Sequence, residues 1–288
     1  MKLNPVYKRE SMVSARSFRL PMVLLVFNSI LTLVALLNMY SMLAQVRVTA
    51  AIQYSSFIDL YVFVAILEFV MLVLIMPAIT SGSISGERER QTLEMMLTTR
   101  MTPSQIVTGK LASAASIMLL LIVSSFPILA MVFVYGGVTV RDIILLLACF
   151  VTVAFFIGSI GILCSAMVQK TTTATVVTYV IVAILIGGTY AAGYFADSLA
   201  ELQSGAMANS RMVYLLLLNP STTFACMLRG IGGSETTVSV LTGWMDRMPV
   251  NWVTENWMAI SMAIQWILSF MMIVASIYQI DPRKKRKY

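Results

Sequence analysis

Six stretches of the chain stay apolar long enough to matter: residues 21–43, 57–80, 111–135, 143–168, 173–195 and 257–280. A helix needs about 20 such residues to cross the hydrocarbon core of a bilayer. Lipid offers no partner for a bare backbone amide, so all six are expected to be uninterrupted helices. Ahead of the first run, residues 3–20 follow a different pattern. At about 100° per residue, Leu3, Val6, Tyr7, Val13, Phe18 and Leu20 fall on one half of a helical wheel. Lys8, Arg9, Arg16 and Arg19 fall on the other half, with Glu10 and Met12 out of place. Asn4-Pro5 supplies a cap and a first helical residue. The pattern predicts an amphipathic helix lying in the headgroup layer of the lipid bilayer.

Composition strengthens this picture. The chain is 59% hydrophobic and 11% charged, against roughly 25% charged in soluble domains. That apolar surface has no place in water, and the expected fold class is an all-α integral membrane protein. Charge placement predicts the orientation. With the N-terminus inside, the inner segments hold fifteen Lys and Arg residues and the outer segments five: Arg47, Arg141, Arg211, Arg229 and Arg247. Positive charge favours the cytoplasmic side, so both termini are expected in the cytoplasm, with the protein multi-pass in the cell (plasma) membrane. The first run is too long for the apolar core of a signal peptide, and no small-residue cleavage site follows it, so it is expected to be retained. The terminal DPRKKRKY reads as a positive anchor beside anionic lipid, with no nucleic-acid role needed. Cys149, Cys164 and Cys226 make no disulfide framework, and the lack of His and of C-x-x-C argues against a transition-metal site.

The segments between the spans are unequal. Residues 196–256 form the one long outer connection. It contains the apolar run Met212–Leu218, which is too short to cross a bilayer and is followed by Asn219-Pro220. Either a short helix dipping back into the outer leaflet or an outer cap fits, and a structured cap is the favoured expectation. Small residues mark where spans approach: Ala154, Gly158, Gly161 and Ser165 on the fourth, and Gly187, Gly188, Ala191, Ala192 and Gly193 on the fifth.

The inner connection at 85–110 is the most informative. Here SGERERQTLEMMLTTRMTPSQIVTGKL concentrates charge between two apolar runs. Read as one helix over 86–100, it projects Leu93, Met96 and Leu97 from one face. Glu87, Gln91, Glu94 and Thr98 follow at spacings of four, three and four on a neighbouring face. Thr102-Pro103-Ser104-Gln105 is a capping box with Pro at the first helical position, starting a second helix that runs into the third span. A passive loop needs no apolar ridge, so a protein-docking elbow is favoured over a merely solvated one.

The same residues resemble the signature of ABC-2 type permeases, the membrane subunits of one class of ABC transporters. Gly86, Glu87, Arg88, Glu89, Thr92, Leu93, Glu94, Met95, Met96, Pro103, Ser104, Gly109 and Lys110 match its pattern, and Gln91 stands where many relatives have Gly. NPVYKRE at the start and LNPSTTFACMLR before the last span are looser matches. The resemblance implies a coupling helix between spans two and three, held in a cleft of a separate ATP-binding subunit. Glu87, Arg88, Glu89, Gln91, Thr92, Leu93, Glu94, Met96 and Leu97 would form the contact. It also implies a second permease copy, either the same chain or a sister. The chain has no phosphate-binding G-x-x-x-x-G-K-[ST] loop, since Gly109-Lys110 is followed by Leu111. No catalytic residue or cofactor is therefore expected in it, and ATP and Mg are expected in the partner.

One acid lies in mid-membrane. Glu68 is a candidate for the translocation path, or a residue bonded to the first span through Asn28, Thr32 or Asn38. Two other function classes are open to a chain with Glu68 and Asp59 in one span. An ion- or proton-coupled carrier would use the pair but leaves the elbow unexplained. A membrane hydrolase would need the two together, yet nine residues of helix separate them by about 13 Å.

Overall fold

The computed structural model describes residues 4–49, 55–98, 101–135, 138–195, 212–231 and 251–281. Among them there is no strand, and six helices are long and apolar enough to span a membrane: Leu20–Ser41, Ile58–Glu89, Pro103–Ala130, Val140–Met167, Thr171–Phe195 and Trp257–Ile280. These overlap the six predicted runs, the second continuing to Glu89 and the third starting at Pro103. Helix α1 (Pro5–Arg16) precedes α2 (Arg19–Thr49) and α3 (Ser55–Thr80). Two short helices follow, α4 (Ser85–Glu89) and α5 (Thr92–Thr98), before α6 (Pro103–Tyr135) and α7 (Val140–Met167). Helix α8 (Thr171–Ala183) widens into a π turn at Ile184–Gly188 and resumes over residues 189–195. A 3-10 turn (Met212–Leu218), α9 (Pro220–Arg229), α10 (Trp252–Glu255) and α11 (Trp257–Ile280) complete the described chain.

Helix α7 is the centre, packed against α3, α6, α8, α9 and α11. Its glycines explain how α3 comes so close. A Cβ on Gly161 would lie 2.0 Å from Thr80 Oγ1, and one on Gly158 would lie 2.3 Å from Met76 Cε. In lipid, where apolar burial between helices gains little, such close approach is a main source of attraction. Aromatic stacking of Phe155 on Trp266, with centroids 4.6 Å apart, joins α7 to α11. The small residues of the fifth span behave differently. A Cβ on Gly187 or Gly193 would meet nothing within 4 Å, so these glycines pack no described helix. The distinctive feature of that span is the π turn, whose Ile186 carbonyl accepts from Asn219 Nδ2 at 3.0 Å.

The apolar run before Asn219-Pro220 also departs from expectation. The 3-10 turn and α9 do not lie over the spans as a cap. Phe224 of α9 stacks on Phe69 in the middle of α3, with centroids 4.4 Å apart, and also faces Phe150 of α7. Asn219 caps α9 by accepting from Ser221 N at 2.9 Å, and Pro220 takes the first helical position. The pair is tucked between helices, with Thr223 and Ser261 hydroxyls 2.6 Å apart. Residues 196–211 and 232–250 of the long connection, and the basic tail at 282–288, lie outside the described residues.

Candidate functional site: the elbow between spans two and three

The elbow is not the single helix that its periodicity suggested. Helix α4 ends at Glu89, and the chain turns at Arg90 and Gln91 before α5 begins. Gln91 carries φ 58, the only positive φ outside glycine among the described residues. That left-handed residue interrupts the register, so Glu87, Gln91, Glu94 and Thr98 form no continuous ridge. Side-chain spacing alone could not reveal the break; the glycine common at this position in the resembled pattern was the signal. Thr102 and Gln105 do cap the next helix reciprocally, Thr102 N donating to Gln105 Oε1 at 3.2 Å and Gln105 N to Thr102 Oγ1 at 3.4 Å.

Helix α4 faces inward, and its polar groups are satisfied by the chain itself. Where α3 stops and α4 starts, the Ile84 and Ser85 amides have no helical acceptor. Ser165 Oγ of α7 accepts both, each at 2.9 Å. Arg88 donates to the last carbonyls of the fourth span, Ala166 O at 3.0 Å and Val168 O at 3.2 Å. Glu89 does the converse at the start of the fifth, accepting from Thr171 N at 3.1 Å and Thr171 Oγ1 at 2.8 Å. A cation thus sits on a helix C-terminus and an anion on a helix N-terminus, each favoured by the backbone dipoles. Glu87 accepts from the Thr92 hydroxyl and pairs with Lys110 Nζ at 3.3 Å.

Helix α5 is divided between the two environments. Leu93 is 5% exposed and packs with Ile84, Val107, Leu111, Ile162, Ala166, Ile273 and Ile280, with Leu97 at the edge of that cluster. Thr92 is half-buried and turned toward Glu87, and Met96 is half-buried. Gln91, Glu94, Met95 and Thr98 are exposed, Met95 at 72%. Of the nine residues expected in a docking face, Glu89, Gln91 and Glu94 are exposed, as is Met95, which that expectation omitted. Beside them opens a cavity of about 570 Å³, lined by Arg88, Glu94, Leu97, Lys170 and Gln279 among others. It lies where the elbow, the turn between α7 and α8, and the end of α11 meet.

Two further residues of this region were undervalued by sequence reasoning. Lys110, 5% exposed, bridges Glu87 to Glu10 of α1, the latter at 3.0 Å. Glu10 had looked misplaced on the apolar half of the N-terminal helix. It sits there because that half faces protein as well as lipid.

Glu68 stands apart from the elbow. It is fully buried, and Ser125 Oγ of α6 donates to its Oε1 at 2.5 Å. The first span is not its partner, because Asn28 donates instead to Leu24 O and Ser124 Oγ, each at 3.0 Å, and Asn38 to Val34 O at 3.4 Å. The reason is the crossing of α3 by α6, which places a hydroxyl directly against the carboxylate. Asp59 lies half-buried in the second turn of α3. Among the described residues, no group of three or more His, Cys, Asp or Glu is placed to hold a metal ion.

Comparison with curated proteins returned no match. The sequence model for ABC-2 family transporter proteins matches residues 21–278, which covers all six spans and the elbow but not α1. With six packed spans and the elbow joining the second to the third, the chain belongs to the ABC-2 family of transporter proteins.

Proposed function

We propose that the chain is the permease subunit of an ATP-driven exporter. In this reading two copies, or one copy and a sister permease, form the path through the cell membrane, with both termini cytoplasmic. A separate ATP-binding subunit, carrying ATP and Mg, docks on the elbow from the cytoplasmic side.

The observation that supports this reading is the two-sidedness of the elbow. Helix α4 is locked to α7 and α8 by Ser165, Arg88 and Glu89, while α5 turns Glu94 and Met95 outward. An exposed methionine beside an acid is poorly placed for a solvated loop but suited to a cleft with an apolar floor and a basic wall. A push on α5 reaches four spans through bonds already made: α3 and α6 by chain continuity, α7 and α8 through α4. Nucleotide drives transport here only by favouring one arrangement of these spans over another. An ion-coupled carrier would need a reachable Glu68, and this carboxylate is sealed against Ser125.

Reconstitution tests the reading. Vesicles holding the chain with its ATP-binding subunit are expected to move cargo only with hydrolysable ATP. Transport at full rate without that subunit, driven by a proton or sodium gradient, would refute it.

A further inference from the structure

The N-terminal helix is built into the elbow as well as lying at its side. Asn4 Nδ2 donates to Gln105 O at 2.7 Å, and the Tyr7 and Ser116 hydroxyls lie 3.1 Å apart. Between these contacts, Gly109 leaves room for Val6: a Cβ there would lie 2.8 Å from Val6 Cβ. The attachment therefore runs from Gln105 to Ser116, about three turns of α6. At its centre stands Lys110, its ammonium 3.0 Å from Glu10 on α1 and 3.3 Å from Glu87 on α4. One buried cation between two carboxylates holds three elements together. Without it, α1 and α4 would present like charges to each other in a poorly solvated space.

We propose that Lys110 is a positioning residue, a clasp that makes α1, the elbow and the start of α6 move as one arm. On this view the N-terminal helix is a working part of the lever, swung along the membrane surface when the elbow is displaced. Its outer side suits such sliding contact, with Met12 and Val13 exposed beside the exposed cations Lys8, Arg9 and Arg16. The proposal rests on the elbow receiving the stroke, but the clasp itself is measurable without any partner.

Spin labels at Val13 on α1 and Met95 on α5, with the three cysteines replaced by serine, report the distance between the two elements in nanodiscs. The parent chain is expected to give one narrow distribution. Glu10→Gln and Lys110→Glu are expected to broaden it at least twofold. Lys110→Arg should keep it narrow. The triple variant Glu10→Lys, Glu87→Lys and Lys110→Glu should restore it, since the middle group again lies between two ions of opposite sign. Equal widths across the set would overturn the clasp, whatever the fate of the transporter reading. In vesicles with the ATP-binding subunit, Glu10→Gln is expected to lower cargo moved per ATP at least fivefold, and the fully charge-reversed triple variant to recover most of it. Unchanged coupling in Glu10→Gln would also overturn the proposal. If the parent shows no ATP-dependent transport, the functional reading fails while the distance measurement still decides the clasp.

Discussion

Helices α4 and α5 are neighbours in sequence and similar in length, yet they face opposite ways. In α4, Ser85, Glu87, Arg88 and Glu89 all bond to other parts of the same chain. In α5, Glu94 and Met95 point away from it, and Leu93 reaches the core with Leu97 at its edge. Charge therefore does not by itself mark a docking face. In α4 it completes the ends of two membrane helices, and in α5 it remains available. The elbow reads as an anchor followed by a contact. Substitutions in the two halves should accordingly fail in different assays.

The largest effect is expected on α5. Glu94→Arg combined with Met95→Asp reverses the exposed acid and makes the exposed apolar side chain charged. Binding of the ATP-binding subunit should weaken on the order of a hundredfold, about 3 kcal/mol, as for other interface hot spots. Thermal unfolding of the isolated chain should not move, because neither side chain is buried. Affinity by pull-down titration and melting in detergent check the two halves. Undiminished binding would place the docking face elsewhere.

The anchor should show the reverse. Ser165→Ala removes the acceptor shared by the Ile84 and Ser85 amides, both on buried residues. Leaving buried donors unpaired costs about 1–3 kcal/mol each when nothing replaces the partner. A loss of roughly 2–6 kcal/mol in stability is expected, with transport falling because α4 no longer holds its angle. Gly161→Ala comes next. Its new methyl would crowd Thr80 Oγ1 and approach the Ser81 amide at 3.4 Å, so α3 must shift against α7. Overpacking of this kind costs about 1–3 kcal/mol. A melting temperature equal to the parent's would show, for Ser165→Ala, that α4 is held by something other than these bonds and, for Gly161→Ala, that α3 does not close on α7 at this glycine.

Much of this was legible beforehand, and what was missed has definite causes. The six spans follow from apolar run length, which the bilayer fixes. The capping box at Thr102 and the cap at Asn4 follow from local chemistry, which needs no tertiary knowledge. The inward face of α4 does not. Glu87, Arg88 and Glu89 are ordinary solvated residues on a wheel, and only the arrival of α6, α7 and α8 supplies Lys110, Ala166 O and Thr171. The partner of Glu68 was missed for the same reason, since which span crosses at that depth is a tertiary fact. Glu10 is the instructive case. It broke the amphipathic pattern, and a break in pattern was a trace of the contact with Lys110.

The smallest effect tests the joint between anchor and contact. Gln91 holds φ 58, a conformation that costs a side-chain-bearing residue about 1 kcal/mol or more and costs glycine nothing. Glycine also loses more freedom on folding, which offsets part of that gain. Gln91→Gly is therefore expected to raise stability by under about 1 kcal/mol, while Gln91→Val, branched at Cβ, should lower it by more. Because Gln91 is exposed, neither change disturbs packing, and the contrast isolates the backbone. If both variants melt like the parent, the turn is not strained at this residue. The two helices would then owe their opposite orientations to Leu93 and the bonds of α4 alone.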